Sequence, residues 1–197
     1  MGDFDFSSGA ICLDFSNTWE NRSDPNADKL SAYEDLLEWV AQGGLVDVEE
    51  KNRFFRLAGR QPRSAEREFK RARVLRETLF RIFSAAAGGR TPDESDIDGF
   101  NRALAKVPRR ILGLGGECCC WEWPREVPGL DQVVWPVILS AADLMTSKDI
   151  SRVRECAAPD CSWLFFDTSR GGRRKWCDMG TCGNRAKARR YYERHRT

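Results

Sequence analysis

Two cysteine pairs of equal spacing lie in the C-terminal part of the chain: Cys156-Ala-Ala-Pro-Asp-Cys161 and Cys177-Asp-Met-Gly-Thr-Cys182, with fifteen residues between them. Structural zinc takes four ligands in a tetrahedron, and cysteine thiolates suit it. The alternative is four reduced core cysteines, but this charged segment has few other residues from which to build a core. The spacing therefore predicts a zinc ion, Zn²⁺, held by all four cysteines. Four protein ligands leave no position for water, so the metal is expected to be structural.

The residues around these ligands predict a small fold built on the metal. Residues 162–167 are typical of a strand, Gly171 and Gly172 of a tight turn, and residues 173–176 of a returning strand. Residues 184–194 are rich in helix formers. A knuckle, a hairpin and a helix that starts at the last ligand give a treble-clef-like zinc finger.

Charge is distributed unevenly along the chain. Residues 152–197 contain 12 Lys/Arg and 5 Asp/Glu, whereas residues 1–151 contain 20 and 25. A basic segment on an acidic body favours a polyanionic partner, and DNA is the predicted one. The alternative is a solvated helix face, or one docked on the acidic body. The candidate nucleic-acid contacts flank the third and fourth cysteines: Arg173, Arg174, Lys175, Arg185, Lys187, Arg189, Arg190 and Arg194.

Helical periodicity and capping signals recur upstream of residue 150. They predict helices at about 31–42, 47–59, 64–87, 91–106 and 130–147. Residues 9–18 have a short apolar core and are predicted as a strand that runs into a polar turn. Residues 109–114 and 117–123 flank a Gly-Gly pair and predict a hairpin. The predicted class is α+β, with a helix-rich domain at 1–150 that contains a small sheet and a zinc finger at 151–197.

A polar cluster follows the first of these predicted strands. Asp14, Asn17 and Thr18, joined by Arg76, are candidates to line a pocket for a small-molecule effector. The alternative is that Asn17 and Thr18 cap a turn or the next element. Self-association into a homodimer is a further hypothesis for this domain.

Enzymatic activity is not predicted. The single histidine, His195, lies near the C-terminus without a nucleophile beside it, and no phosphate-binding loop is present in the sequence. No apolar run reaches the length of roughly 18 residues that a membrane helix requires. The N-terminus lacks the pattern of a secretory signal, so a cytoplasmic protein is expected.

The cysteine segment resembles a known family. The string Cys182-Gly183-Asn184-Arg185 after Trp176-Cys177, with DCSWLFFDTSR at residues 160–170, is similar to the CGNR zinc finger. LDFSNT at residues 13–18 resembles the start of the ABATE domain that precedes this finger. The resemblance implies an α+β N-terminal domain, a zinc finger, and membership of a group of bacterial proteins described as stress-related transcription regulators.

These observations favour a DNA-binding regulator whose basic helix contacts DNA while the acidic body senses a small molecule or dimerises. Two hypotheses of other classes remain open at this point. One is an interaction adaptor whose zinc module binds protein. The other is an enzyme that acts through carboxylates brought together in the N-terminal domain.

Overall fold

The computed structural model describes residues 3–115, 118–124 and 129–195. The fold is helix-rich with two small antiparallel sheets, which confirms the predicted α+β class. The helices are α1 (Ile11–Ser16), α2 (Tyr33–Gln42), α3 (Val48–Arg60), α4 (Pro62–Ala87), α5 (Glu94–Leu104), α6 (Trp135–Thr146) and α7 (Asn184–Arg194). The strands are β1 (Ile111–Gly115), β2 (Cys118–Glu122), β3 (Val153–Glu155) and β4 (Leu164–Phe166). Within the described ranges, no helix is both long enough and apolar enough to cross a bilayer.

Helix α4 forms the central element of the main core. Its 26 residues bury an apolar stripe that includes Phe69, Leu75, Leu79 and Phe83. The spacing of these residues keeps them on one side of the helix. Helices α1, α2 and α5 and the strand β3 all contact α4. Burial of side chains of this size contributes about 1.5–3 kcal/mol each, so the stripe is a principal source of stability.

The predicted strand at residues 9–18 is wrong, because Ile11–Ser16 form helix α1. The carbonyl of Ala10 accepts hydrogen bonds from the backbone N–H groups of Leu13 and Asp14, as in a helical turn. Every residue from Cys12 to Ser16 is buried. A short run that is buried on all sides has no polar face, and its periodicity therefore cannot distinguish a helix from a strand.

The two strands predicted around the Gly-Gly pair are present and antiparallel, whereas residues 116–117 of the predicted turn lie outside the described residues. Strands β1 and β2 pair in a register that runs from Ile111 opposite Glu122 to Gly115 opposite Cys118. The ring of Trp123, just after β2, packs against the ring of Trp135 with centroids 5.0 Å apart. This contact attaches the base of the hairpin to α6.

The β3–β4 hairpin differs from the hairpin predicted within the finger, in which residues 162–167 pair with residues 173–176. Strand β4 pairs with β3, which precedes the first cysteine, and residues 173–176 do not form a strand. The backbone N–H of Arg174 instead bonds the Asp167 carboxylate at 3.0 Å. Val153 of β3 and Leu164 of β4 are fully buried within the same core as α4. The β3–β4 hairpin is thus part of the main core.

A buried ion pair connects the segment between α1 and α2 to α4. The Arg76 side chain is fully buried, and its guanidinium makes two hydrogen bonds to the Asp28 carboxylate, at 2.6 and 2.7 Å. Burial raises the pKa of Asp28, but the hydrogen bonds and positive charge of Arg76 outweigh this, and the pKa is lowered overall. The pair stabilises the fold above the unfolded-state pKa of about 4 and loses this contribution as the pH falls through the lower folded-state value.

Replacement of Asp28 by Ala is expected to lower the free energy of unfolding by about 3 kcal/mol, because the buried Arg76 cation loses its two bonds to this carboxylate and keeps only Glu77 as an ionic partner. Chemical denaturation at neutral pH measures this change. Arg73 contacts the same carboxylate at 3.2 Å but is 47% exposed. The matched control Arg73→Ala should therefore cost less than about 1 kcal/mol. Equal effects of the two substitutions would contradict the assigned role of Arg76.

Candidate metal centre and the basic helix beside it

The structure brings the four predicted cysteine ligands together. Their sulfur atoms all lie within 4.8 Å of one another, and no disulfide links them. The sulfur of Cys177 is 3.7 Å from that of Cys161 and 3.6 Å from that of Cys182. A Zn–S bond of about 2.3 Å places neighbouring sulfurs of a tetrahedron about 3.8 Å apart. The cluster therefore fits Zn²⁺ with all four thiolates bound.

Local backbone hydrogen bonds fix the position of each ligand. Cys156 follows β3, and its N–H donates to the Trp163 carbonyl at 2.8 Å, so that the first two cysteines occupy the loop of the β3–β4 hairpin. The N–H of Cys177 points at the Cys156 sulfur, 3.5 Å away. Cys182 lies in a π-helical turn, Met179–Gly183, directly before α7. This turn connects the metal centre rigidly to the final helix.

The thiols influence one another electrostatically. Hydrogen bonds from the thiols of Cys161 and Cys177 lower the pKa of Cys156 to about 2. The hydrogen bond to Cys156 in turn raises the pKa of Cys161 to about 12, because a second thiolate beside the first is unfavourable. Without a metal, the Cys156 thiolate therefore opposes deprotonation of Cys161 beside it. Zinc needs all four sulfurs deprotonated, so its binding releases protons and weakens at low pH.

Two of the predicted DNA contacts touch the metal centre or its neighbours. The Arg185 guanidinium donates to the Cys182 sulfur at 3.1 Å, and this bond raises the pKa of Arg185. Arg185 and Arg189 also approach the Asp160 carboxylate, at 3.2 and 3.8 Å. A zinc ion with four thiolates carries two negative charges, which the Arg185 cation partly offsets.

Arg174, another predicted DNA contact, faces inward. Its guanidinium lies 4.7 Å from the centre of the Phe165 ring and donates to the carbonyls of Trp176 and Cys177. Its backbone N–H bonds to Asp167, whose side chain is fully buried. Arg174 thus stabilises the loop that leads to the third ligand.

The remaining predicted contacts are exposed cations. Arg173 and Lys175 lie in the loop before Cys177, while Lys187, Arg190 and Arg194 lie on α7. None of these five forms an ion pair within the described residues. The three on α7 are three or four residues apart, so they share one side of the helix. We call Lys187, Arg190 and Arg194 the basic face.

The candidate effector pocket is filled by its own side chains. Asp14, Asn17, Thr18 and Arg76 are all buried, and each is hydrogen-bonded within the chain. The cavity beside the first three measures only about 10 Å³. This volume is at the lower limit for one water molecule, and the hydrogen bonds of these residues support the alternative of a structural role.

Asn17 forms the main polar link between the N-terminal domain and the finger. Its amide donates to the Leu164 carbonyl at 2.8 Å and accepts from the Leu164 N–H at 2.9 Å. The Asn17 side chain thus bonds the backbone of β4 as a neighbouring strand would. Sequence reasoning offered Asn17 either as a pocket residue or as a turn cap, and gave no role to Asp160 or Asp167. The turn-forming string Asp167-Thr168-Ser169 was the available signal for Asp167, whereas the contacts of Asp160 with the start of α7 have no local signature.

Replacement of Cys161 by Ser is expected to abolish stoichiometric zinc binding, because a hydroxyl does not replace a thiolate as the fourth ligand. Zinc per chain, measured by elemental analysis after dialysis, tests this. Cys119 is an exposed cysteine outside the cluster, so Cys119→Ser is the matched control and should retain the full metal content. Equal zinc content in both variants would refute the four-cysteine site.

Replacement of Asn17 by Ala should lower the free energy of unfolding by about 2 kcal/mol or more, since it leaves both backbone polar groups of Leu164 buried without a partner. Hydrogen exchange at the Leu164 amide should accelerate by more than exchange at core amides of α4. Asn101→Ala, on the exposed surface of α5, provides the control with little expected change. A selective loss of protection in β4 distinguishes this role from a general effect on folding.

Comparisons with known proteins agree with this organisation. Residues 9–148 match the ABATE family model, whose description is "putative stress-induced transcription regulator". Residues 152–195 match the model of the CGNR zinc finger. A search of curated proteins finds no match. The chain belongs to the ABATE family and carries a CGNR zinc finger after its ABATE domain.

Proposed function

We propose that this protein is a DNA-binding transcription regulator whose zinc finger presents α7 to DNA. The observation that carries the proposal is the basic face, formed by Lys187, Arg190 and Arg194 on a helix with no buried residue. Three cations on one exposed side, without carboxylate partners in the described chain, are available to a polyanion. The family description supports a regulatory role for the protein.

The charge distribution favours one orientation on DNA. The finger segment has a net charge of +7 and the preceding 151 residues a net charge of −5, from their Lys/Arg and Asp/Glu content. DNA attracts the first and repels the second, so the finger would approach DNA while the body points away. Arg173 and Lys175, in the loop before the third ligand, would extend the interface along the phosphate backbone.

Arg185 and Arg189 have a different role in this proposal. Both approach Asp160 in the loop between the first two ligands. These contacts connect the start of α7 to the metal-bound loop and set the direction of the helix. The pairs are about half exposed and contribute little stability on their own. A phosphate or a base edge would therefore be able to compete with Asp160 for either arginine.

Sensing of a small molecule by the N-terminal domain is the second part of the proposal. The polar cluster around Asn17 does not offer the necessary space, so an effector would bind elsewhere in this domain. Helix α4 contacts both the body and strand β3 of the finger. A ligand held against α4 would thus act on an element that also supports the metal centre.

A zinc-dependent protein adaptor is the competing function. Tyr191 and Tyr192 on α7 are 60% and 71% exposed, and tyrosines are enriched in protein interfaces. The two functions differ in their dependence on charge. DNA binding depends on the basic face and weakens steeply with salt, whereas an interface built on the two tyrosines would tolerate salt and lose affinity on Tyr→Ala substitution.

The double substitution Lys187→Glu with Arg190→Glu should weaken binding of duplex DNA by about tenfold or more, because it replaces two phosphate-binding cations with repelling anions. Fluorescence anisotropy with a mixed-sequence duplex across a salt series measures this. The slope of log affinity against log salt should become shallower by about 0.9 for each phosphate interaction that the substitutions remove. Zinc content should stay unchanged.

Arg56→Glu with Arg60→Glu, which makes the same charge change at two exposed positions on α3, is the matched control and should bind like the unaltered protein. Absence of binding at low salt by the zinc-loaded protein would overturn the proposal. Where the zinc-loaded protein does bind DNA, selection of bound sequences from a random pool separates specific from nonspecific binding, since a regulator should enrich one motif.

A further inference from the structure

A groove of about 770 Å³ lies on the N-terminal domain, away from the zinc finger. It opens between α4 and α5, and the short helix Leu130–Val134 together with α6 forms its base. The two walls are in close contact at Gly99, where an added Cβ would lie 3.8 Å from the Thr78 methyl group. Along α4 the groove extends from Thr78 to Arg63, a length of about 22 Å at 1.5 Å per residue.

The base of the groove is apolar. It is formed by Leu75, Leu130, Val134 and Ile138, which belong to the main core. Val74 on the wall is 68% exposed, although it is a large aliphatic side chain. An elongated apolar ligand in the groove would cover Val74 and the aliphatic stems of the neighbouring basic side chains.

The rim is basic, in contrast to the acidic domain around it. Six cations and three carboxylates line the groove: Arg63, Arg67, Lys70, Arg71, Arg102 and Lys106 against Glu66, Glu68 and Asp131. Glu66 pairs with Lys70, and Glu68 pairs with Arg67 and Arg71. Asp131 accepts a hydrogen bond from the Trp135 indole at 3.3 Å.

Three of the rim cations have no ion-pair partner among the described residues: Arg63, Arg102 and Lys106. They lie on both walls, with Arg63 in the first turn of α4 and Arg102 in the last turn of α5. A cation in the first turn of a helix is unfavourable for that helix, because the N-terminal end of the helix dipole is positive.

From this arrangement we infer that the groove binds a free amphipathic anion, an extended hydrocarbon chain with a terminal carboxylate or phosphate. The chain lies on the apolar base beside Val74, and the anionic head contacts Arg102 and Lys106 at the rim. The basic rim excludes α7 of a second copy as the occupant, because α7 is itself basic. This inference specifies the effector-sensing part of the proposed function and is independent of DNA binding.

Calorimetric titration of the zinc-loaded full-length protein, without DNA, tests the inference. The probes are monomeric dodecanoate, dodecyl phosphate and the uncharged dodecanol. Dodecanoate and dodecyl phosphate should each bind with saturation, and dodecanol at least about tenfold more weakly, because it lacks the charge that the rim recognises. Comparison of the first two probes identifies the preferred head group.

Two variants locate the site. Arg102→Glu with Lys106→Glu should weaken dodecanoate binding by about tenfold or more, because the anionic head would meet carboxylates in place of cations. Val74→Glu should also weaken dodecanoate binding, because it places a carboxylate in the apolar wall of the groove. Both alter exposed side chains, and unchanged thermal melting confirms folding. Arg56→Glu with Arg60→Glu, on α3 outside the groove, is the control for net charge and should bind like the unaltered protein.

Four results would overturn the inference. The first is no saturable binding of either anion, and the second is equal binding of dodecanol. The third is equal weakening by the groove double variant and by Arg56→Glu with Arg60→Glu, which would indicate a nonspecific charge effect. Binding to anionic phospholipid vesicles without binding to monomeric dodecanoate would likewise contradict a free ligand. Because DNA is absent from these titrations, their failure would leave the DNA-binding proposal standing.

Discussion

The rest of the structure depends on the hairpin that the metal centre and the main core share. Strands β3 and β4 place Cys156 and Cys161 in their connecting loop, while Val153 and Leu164 insert between α1 and α4. Asn17 closes this arrangement by pairing with both backbone polar groups of Leu164. The first two zinc ligands are therefore held by a hydrophobic core that a finger of this size would be too small to build alone.

The sequence was informative wherever the determining signal is local. Cysteine spacing identified the metal ligands, and the periodicity of residues 64–87 identified the central helix, because both depend on neighbours along the chain. The partner of β4 could not be deduced in this way. Two segments, residues 153–155 and 173–176, were close enough in sequence to pair with it, and burial of Val153 against α4 decides between them. Helix α1 was missed because a fully buried turn carries no polar face.

Electrostatic partners were the least predictable part of the site. A helical wheel groups Arg185 with Arg189 correctly, but it contains no information about Asp160, which lies in the loop between the first two ligands. Likewise Arg76 was placed in a pocket, whereas its partner Asp28 lies 48 residues earlier. Long cationic side chains pair with carboxylates that are distant in sequence and come close to them only in the folded chain. For this reason the cations of α7 could be counted from the sequence but not sorted into paired and unpaired.

The shared hairpin also bears on how such a protein changes in evolution. Zinc fingers are often exchanged between proteins as self-contained cassettes, since their metal supplies most of their stability. This finger would leave Val153, Leu164 and Phe166 without their packing partners if it were moved alone, and it would lose Asn17. A transfer of residues 152–195 to another protein would therefore have to recreate an acceptor surface there. Recombination should keep the finger and its domain together as a single heritable unit.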